Sequence, residues 1–267
     1  TAISWAAKEG WNPGLYDLES FYKTDPRGYF MGFLNDKPIS SISAVSYNGK
    51  FGFIGFYIVK PEFRGQGYGI QIWNKAMKYL RGLNVGLDGV LLQQENYKKS
   101  GFKLAYRNIR YEGKGNSITE FNSDNIIQLG KIPFKKLITY DSQLFPTPRP
   151  KFLRLWIKQP KSLAIGFVEN NILKGYSMIR KCQTGFKVGP LFADTAKIAE
   201  KLFNNLYIFV GNKIPIFLDI PEVNKNAVAL AEKYQMKPMF ETARMYTKKA
   251  PDLEVNKIFG VSTFELG

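Results

Sequence analysis

Hydrophobic positions along the first half of the chain change their period in a fixed order. Leu15, Leu18, Phe21 and Tyr22 recur at helical spacing, with Asp17 and Glu19 on the opposite side. Residues 29–34 and 39–47 read as two strands around an Asn35-Asp36 hairpin turn. Asn48-Gly49 then turns the chain into a long apolar strand, 51–59. Pro61 stops that strand. Ile70, Trp73, Ala76, Met77 and Leu80 form one stripe, which predicts a helix over 67–80. A short strand (89–92), a short helix (93–100) and a closing strand (102–111) complete a β-β-β-α-β-α-β series, a mixed α/β layer.

Residues 112–115, rich in glycine and charge, mark a break, after which a similar order returns. Residues 132–137 read as a helix start or a short strand, and the three prolines of 145–150 stiffen a loop. A helix at 151–157, a hairpin of 163–168 with 173–180, a strand at 186–192 and a helix at 195–210 follow. A strand at 214–220, a helix at 224–234 and a strand at 239–246 close the series. The repetition predicts an internal duplication, with one unit over 1–115 and a second over 116–267.

Composition narrows the chemistry. The 267 residues suffice for two ordinary domains, and 45% hydrophobic with 15% aromatic content excludes global disorder. One cysteine, Cys182, and no histidine exclude an intrachain disulfide, Cys/His zinc sites and any histidine-based triad. Proton transfer falls to Tyr, Asp, Glu, Lys, Cys or water. The net charge of +16 is evenly spread: 19 Lys+Arg against 11 Asp+Glu in 1–140, and the same again in 141–267. Such charge favours polyanions in general but marks no nucleic-acid reader, so a lysine-rich surface is the favoured reading. No apolar run reaches about 18 residues, so no membrane-spanning helix is expected. No basic segment leads into an apolar one at the start, so a cytoplasmic location is the default expectation.

The strongest chemical signal is the junction of the long strand with the helix after it. Val59-Lys-Pro-Glu-Phe-Arg64-Gly65-Gln66-Gly67-Tyr68-Gly69 reads as strand, glycine loop and helix. Such a loop presents backbone N–H groups at a positive helix end and suits a phosphate. The G-x-G-x-G spacing is not the G-x-G-x-x-G of a dinucleotide fold, and no Lys-Ser or Lys-Thr follows as a Walker A loop needs.

The string V-x-P-x-x-R-G-x-G-x-G resembles the acyl-CoA pyrophosphate loop of the GNAT superfamily of N-acetyltransferases. Tyr97-Lys-Lys-Ser-Gly101-Phe102 resembles that family's Y-x-x-x-G-F segment. The resemblance implies a GNAT fold and acetyl-CoA (CoA) as the bound cosubstrate. It implies Ile58 and Val59 on the pantetheine arm, with Arg64, Gly65, Gln66, Gly67, Tyr68 and Gly69 on the pyrophosphate. Asn96 and Tyr97 then lie beside the cofactor, with Tyr97 as the acid for the leaving thiolate. The family's usual glutamate is missing from 51–59. Glu9, among the N-terminal aromatics, is left as either a proton acceptor or a salt-bridge residue, and a water relay would also serve. The acceptor is expected to be a small-molecule amine, or a protein N-terminus or lysine, in a cleft between the units walled by Trp5 and Trp11. A non-catalytic acyl-CoA sensor is the alternative.

The second unit looks like a worn copy. Ala193 and Asp194 stand where the loop's Arg and Gly would stand, Ala231 in place of the tyrosine and Gln235-Met236 in place of Gly-Phe. Asp194 suits a helix N-cap and would repel a pyrophosphate. The whole layout resembles a bacterial GNAT subgroup with a diverged C-terminal GNAT domain.

Overall fold

The computed structural model describes residues 1–115 and 125–267. Its first half runs α1 (Ala2–Lys8), α2 (Asp17–Thr24), β1 (Tyr29–Leu34), β2 (Lys37–Tyr47), β3 (Phe51–Val59), α3 (Tyr68–Tyr79), β4 (Asn84–Val90), α4 (Gln94–Lys99) and β5 (Lys103–Lys114). The second runs β6 (Ile126–Gln128), α5 (Phe134–Asp141), α6 (Pro150–Trp156), β7 (Ser162–Glu169), β8 (Ile172–Lys181), β9 (Phe186–Ala193) and α7 (Ala196–Val210). Then come β10 (Pro215–Pro221), α8 (Lys225–Lys233), β11 (Lys237–Tyr246) and β12 (Ile258–Gly260). The α/β alternation predicted for both halves is present. The 132–137 ambiguity resolves as the helix α5.

One continuous sheet holds the two halves, in the order β1-β2-β3-β4-β11-β5-β10-β9-β8-β7-β6, with β12 on β9. The order reveals an exchange. By position in the repeat, β5 should lie beside β4 and β11 beside β10. Instead β11 pairs antiparallel with β4, and β5 pairs antiparallel with β10. The two closing strands pair with each other at the centre.

Three elements depart from the pattern reading, each for a packing reason. On α3 the inward face is Ile72, Trp73, Ala76 and Leu80, while Ile70 is 54% exposed at the start of the helix. The strand expected at 89–92 is β4, which begins five residues earlier. Its glycines hid it, because they serve close packing. A Cβ on Gly86 would come within 3.0 Å of the Phe51 and Tyr246 rings. The charged, glycine-rich stretch 112–115 is not a loop, since Glu112 to Lys114 continue β5 against β10 and the Gly115 N–H donates to the Ile214 carbonyl at 2.9 Å.

Each exchanged junction carries the same buried ion pair. Asp88 on β4 lies directly across from Arg244 on β11, with bonds of 2.8 and 2.6 Å. Asp219 on β10 lies directly across from Arg110 on β5, at 2.6 and 2.8 Å. Burial alone would raise the Asp219 carboxyl, but the Arg110 guanidinium outweighs it and the net direction is down. Leaving one member of such a pair unmatched costs about 3–5 kcal/mol.

The exchange makes a prediction. Residues 1–115 expressed alone lose β11, leaving β4 with a bare edge and Asp88 without Arg244. This fragment should show no cooperative thermal transition and should aggregate, whereas the whole chain melts as one unit. A sharp, soluble melt of 1–115 would contradict it.

Candidate active site

The site begins where the sheet comes apart. β3 and β4 are parallel and paired from Phe51↔Asn84 to Ile54↔Leu87, and no further. Past that point β4 stays with β11, and β3 stays with β2 through a bulge in which Phe56 and Tyr57 face Ile42 alone. Phe56 sits at φ 48°, a left-handed conformation for a bulky residue. The Ser41 hydroxyl holds the bulge by donating to the Phe56 carbonyl at 3.0 Å.

Between the splayed strands lies a cavity of about 1030 Å³. Its walls come from both halves. β3 contributes Ile54 to Val59, β4 and the turn after it contribute Leu87 to Gln93, and the exchanged strands contribute Arg110 and residues 238–242. Phe264 and Glu265 of the closing segment complete it.

At one end stands the glycine loop, residues 60–67, between β3 and α3. Gly65 and Gly67 sit at φ +74° and +82°, and nothing lies within 4 Å of where their Cβ atoms would be. Their need for glycine is therefore conformational. Gly69 is different: a Cβ there would come within 2.6 Å of the Tyr57 hydroxyl. Gly67 is the N-cap of α3 and no side chain caps the helix. The N–H groups of Gly65, Gln66 and Gly67 take no acceptor among the described residues. Open amides at a helix N-terminus fit an anionic phosphate. Arg64 fastens the loop to the strand, its Nε donating to the Val59 carbonyl at 2.8 Å and its Nη2 to Glu9 Oε1 at 2.5 Å.

The structure brings most of the expected residues together. Ile58, Val59, Arg64, Gly65, Gly69, Tyr97 and Glu9 border the cavity, and Gln66, Gly67 and Tyr68 complete the loop at its edge. Asn96 is not brought to the cavity wall; it is exposed on α4 and its amide donates to Gln93 Oε1 at 2.7 Å. Trp11 is in the wall. Trp5 is not, and lies beneath the Lys60 ammonium at 5.3 Å. Tyr97 is buried against Trp73 at 5.6 Å, and the missing Cβ of Gly89 makes room for its ring. Burial pushes the Tyr97 phenol well above its usual range, with the Tyr57 phenol adding to the rise.

Four carboxylates reach the cavity, and sequence reasoning weighed only one. Glu9 is paired with Arg64, Asp88 with Arg244 and Glu241 with Arg107. Glu265 has no cationic partner among the described residues; one oxygen, Oε2, accepts from the Thr263 hydroxyl. A signal for the Asp–Arg pairs was available: Leu-Asp recurs at 87–88 and 218–219, and an arginine stands eight residues past each helix-end turn, at 110 and 244. Nothing local marks Glu265, which arrives from a distant part of the chain.

The second half repeats the frame without the loop. β9 and β10 are parallel up to Leu218↔Val188 and then part. Gly189 and Pro190 face Met178 alone, the same bulge, and the Ser177 hydroxyl donates to the Pro190 carbonyl at 2.7 Å as Ser41 does to Phe56. The turn after the second short helix is also the same. Met236 N–H donates to the Ala231 carbonyl at 3.0 Å, as Phe102 N–H does to Tyr97. Yet only Asp194 and Thr195 separate β9 from α7, where eight residues separate β3 from α3. Asp194 is not the cap expected of it. Thr195 caps α7, accepting from the Ile198 N–H, while Asp194 meets the Tyr140 hydroxyl at 3.1 Å and Lys174 and Lys257 at 3.6 Å. The split is filled by the chain itself: β12 pairs with β9, Val261 N–H donates to the Asp219 carbonyl at 2.9 Å, and a Cβ on Gly189 would strike the Ser262 carbonyl at 2.4 Å.

A splayed parallel pair met twice in one chain, over a glycine loop in the first half, defines the GNAT acyl-CoA N-acyltransferase fold. Two family profiles agree with it. "Acetyltransferase (GNAT) family" matches residues 2–102 and "Acetyltransferase (GNAT) domain" matches residues 137–260. Holothin acyltransferase of Pseudoalteromonas sp. (strain SANK 73390) is 31% identical over 263 residues, covering 98% of this chain and 89% of the relative. A putative acetyltransferase from Pyrococcus horikoshii superposes with a TM-score of 0.82 at 24% identity, over 94% of this chain and 84% of its own. A tandem GNAT protein from the clavulanic acid biosynthesis pathway superposes with a TM-score of 0.61 at 11% identity, over 90% and 89% of the two chains. The chain belongs to the GNAT acyltransferase family and carries two GNAT domains, and acyl transfer is the activity its family supports. No described helix is long and apolar enough to cross a membrane.

Proposed function

We propose that the protein transfers an acetyl group from acetyl-CoA to a primary amine, on a single site in its first half. The observation that carries this reading is the set of open amides at Gly65–Gly67, aligned with the β3–β4 split and the cavity behind it. The loop would hold the pyrophosphate. The edge of β3 that β4 leaves unpaired, at Ile58 and Val59, would run along the pantetheine arm, with the Val59 carbonyl taken by Arg64, and the thioester would then lie near the Phe56 bulge. The acceptor amine, small or at the end of a peptide, would approach from the side lined by Trp11 and the exchanged strands. Of the two roles open to Glu9, its ion pair supports the electrostatic one, holding Arg64 over the loop.

Tyr97 is the proposed donor to the leaving sulfur. A thiolate with a pKa near 8.5 can leave without prior protonation. A phenol raised by burial keeps its proton throughout the working pH range, so it acts by hydrogen-bonding the developing thiolate. The benefit should be modest, about 10²-fold.

Three measurements test these assignments. Gly67→Glu adds a side chain at a left-handed position and a negative charge at the loop. It should abolish acetyl-CoA binding in calorimetry while the melting temperature stays near that of the parent; unchanged affinity in a folded variant would overturn the loop assignment. Titration should give one acetyl-CoA per chain, because the second split is closed by β12; a ratio of two would show that the closing segment yields. Tyr97→Phe should lower kcat by about 10²-fold with acetyl-CoA affinity nearly constant. It should also leave the pH–rate profile unchanged below about pH 10, since the raised phenol does not ionise there. A variant with parental kcat would reduce Tyr97 to packing.

A further inference from the structure

The segment after β12 connects the two splits in the sheet. It fills the second at Gly189 and then crosses to the first, where the backbone of Glu265 lies on Gly55; a Cβ there would come within 2.2 Å of the Glu265 carbonyl. Gly55 pairs with Ser43 just before the bulge of β3, and Gly189 lies in the corresponding bulge of β9. Missing side chains thus let the same segment pass closely at both.

The segment is held firmly. The Tyr47 hydroxyl donates to the Leu266 carbonyl at 2.9 Å, and Arg149, buried and paired with Asp141, donates to the Gly267 carbonyl at 3.1 Å. The Arg110 guanidinium lies 4.9 Å from the Phe264 ring. This fixes Glu265, a residue only 4% exposed, at the cavity wall beside the Phe56 bulge. Oε2 accepts from Thr263, whereas Oε1 accepts nothing from the described residues. The carboxylates of Glu9, Asp88 and Glu241 are each tied to an arginine, and β3 carries no acid.

We propose that Glu265 is the group that takes the proton from the attacking amine. The inference rests on the acyl-transfer reading above and names the proton acceptor that β3 does not supply. The amine nitrogen attacks the thioester carbon, the N–C bond forms and the C–S bond breaks. The electron pair of that bond leaves on sulfur. The proton lost by nitrogen passes to Glu265 Oε1 and from there to solvent, while the thiolate takes one from solvent or Tyr97. Amine and acetyl-CoA become amide and free CoA, with nothing oxidised or reduced.

The test compares the full chain with Glu265→Gln, Glu265→Asp and Glu265→Ala, using acetyl-CoA, a panel of primary amines and release of free CoA. Glu265→Gln keeps the volume and an acceptor for Thr263. It should melt close to the parent and bind acetyl-CoA with the same affinity in calorimetry, yet lose about 10²–10⁴-fold in kcat. Glu265→Asp should fall between the two. Glu265→Ala should regain activity when sodium formate is added, because a free carboxylate fits the space vacated; a merely structural role would not respond to it. Parental kcat in the folded Glu265→Gln variant, or a loss in Glu265→Ala that formate does not relieve, would overturn the inference while leaving acyl transfer intact. Parent protein that binds acetyl-CoA but releases no CoA with any amine would overturn the acyl-transfer reading and this inference together.

Discussion

The antiparallel pairing of β11 with β5 is the contact on which the rest of the molecule depends. β4 and β10 each end a parallel pair and each need a partner on the open side, since a bare edge would leave unpaired N–H and C=O groups. In this chain the partner comes from the other half both times. The buried Asp88–Arg244 and Asp219–Arg110 pairs sit at equivalent positions of the two junctions, so in the exchanged sheet each carboxylate meets an arginine from the other half. Buried ion pairs add little net stability against apolar packing, but a mismatched one is costly, which makes them suited to fixing register. The cavity inherits this arrangement. Part of its wall belongs to β11 and the closing segment, from beyond the first half, so site and seam cannot vary independently.

The two halves show how a frame persists after its loop is gone. Both have the bulge, the serine that braces it, the split parallel pair and the tight turn after the short helix. Gln235 even keeps a left-handed φ of 55° where the first half has Gly101 at 87°. That conformation costs a non-glycine residue about 1–2 kcal/mol, so the turn is retained against its own residue preference. The ligand side differs. Eight residues against two connect strand to helix, Tyr97 faces a cavity while Ala231 is sealed in the core, and one split is open while the other is closed by β12.

Much of this was legible from residues alone. The long strand 51–59, the glycine loop, the helix after it and the order of both halves follow from period and turn chemistry, because these are local. The hidden features have physical reasons. β4 is interrupted by Gly86 and Gly89, whose lack of side chains accommodates aromatic rings from elsewhere, so propensity is the wrong guide there. The strand through 112–114 is charged and glycine-containing, and it is ordered by β10 rather than by its own composition. Ile70 matched the helical stripe but lies in the first turn and is exposed. The strand exchange and the approach of Glu265 to Gly55 are contacts over very long sequence separations, and no periodic pattern encodes them.

The exchange also sets a timetable. A chain made from its N-terminus emerges at about 5–20 residues per second, and domains generally fold as they appear. Here β4 is complete long before β11 exists, so on the ribosome the first half waits with an unpaired parallel edge and an unmatched Asp88. Non-local pairing of this kind is slow because loop closure must precede any gain. The interval in which that edge is open to a neighbouring nascent chain is therefore set by translation of the entire second half. Rare codons placed before residue 237 would lengthen it, and chaperone demand should rise with their number.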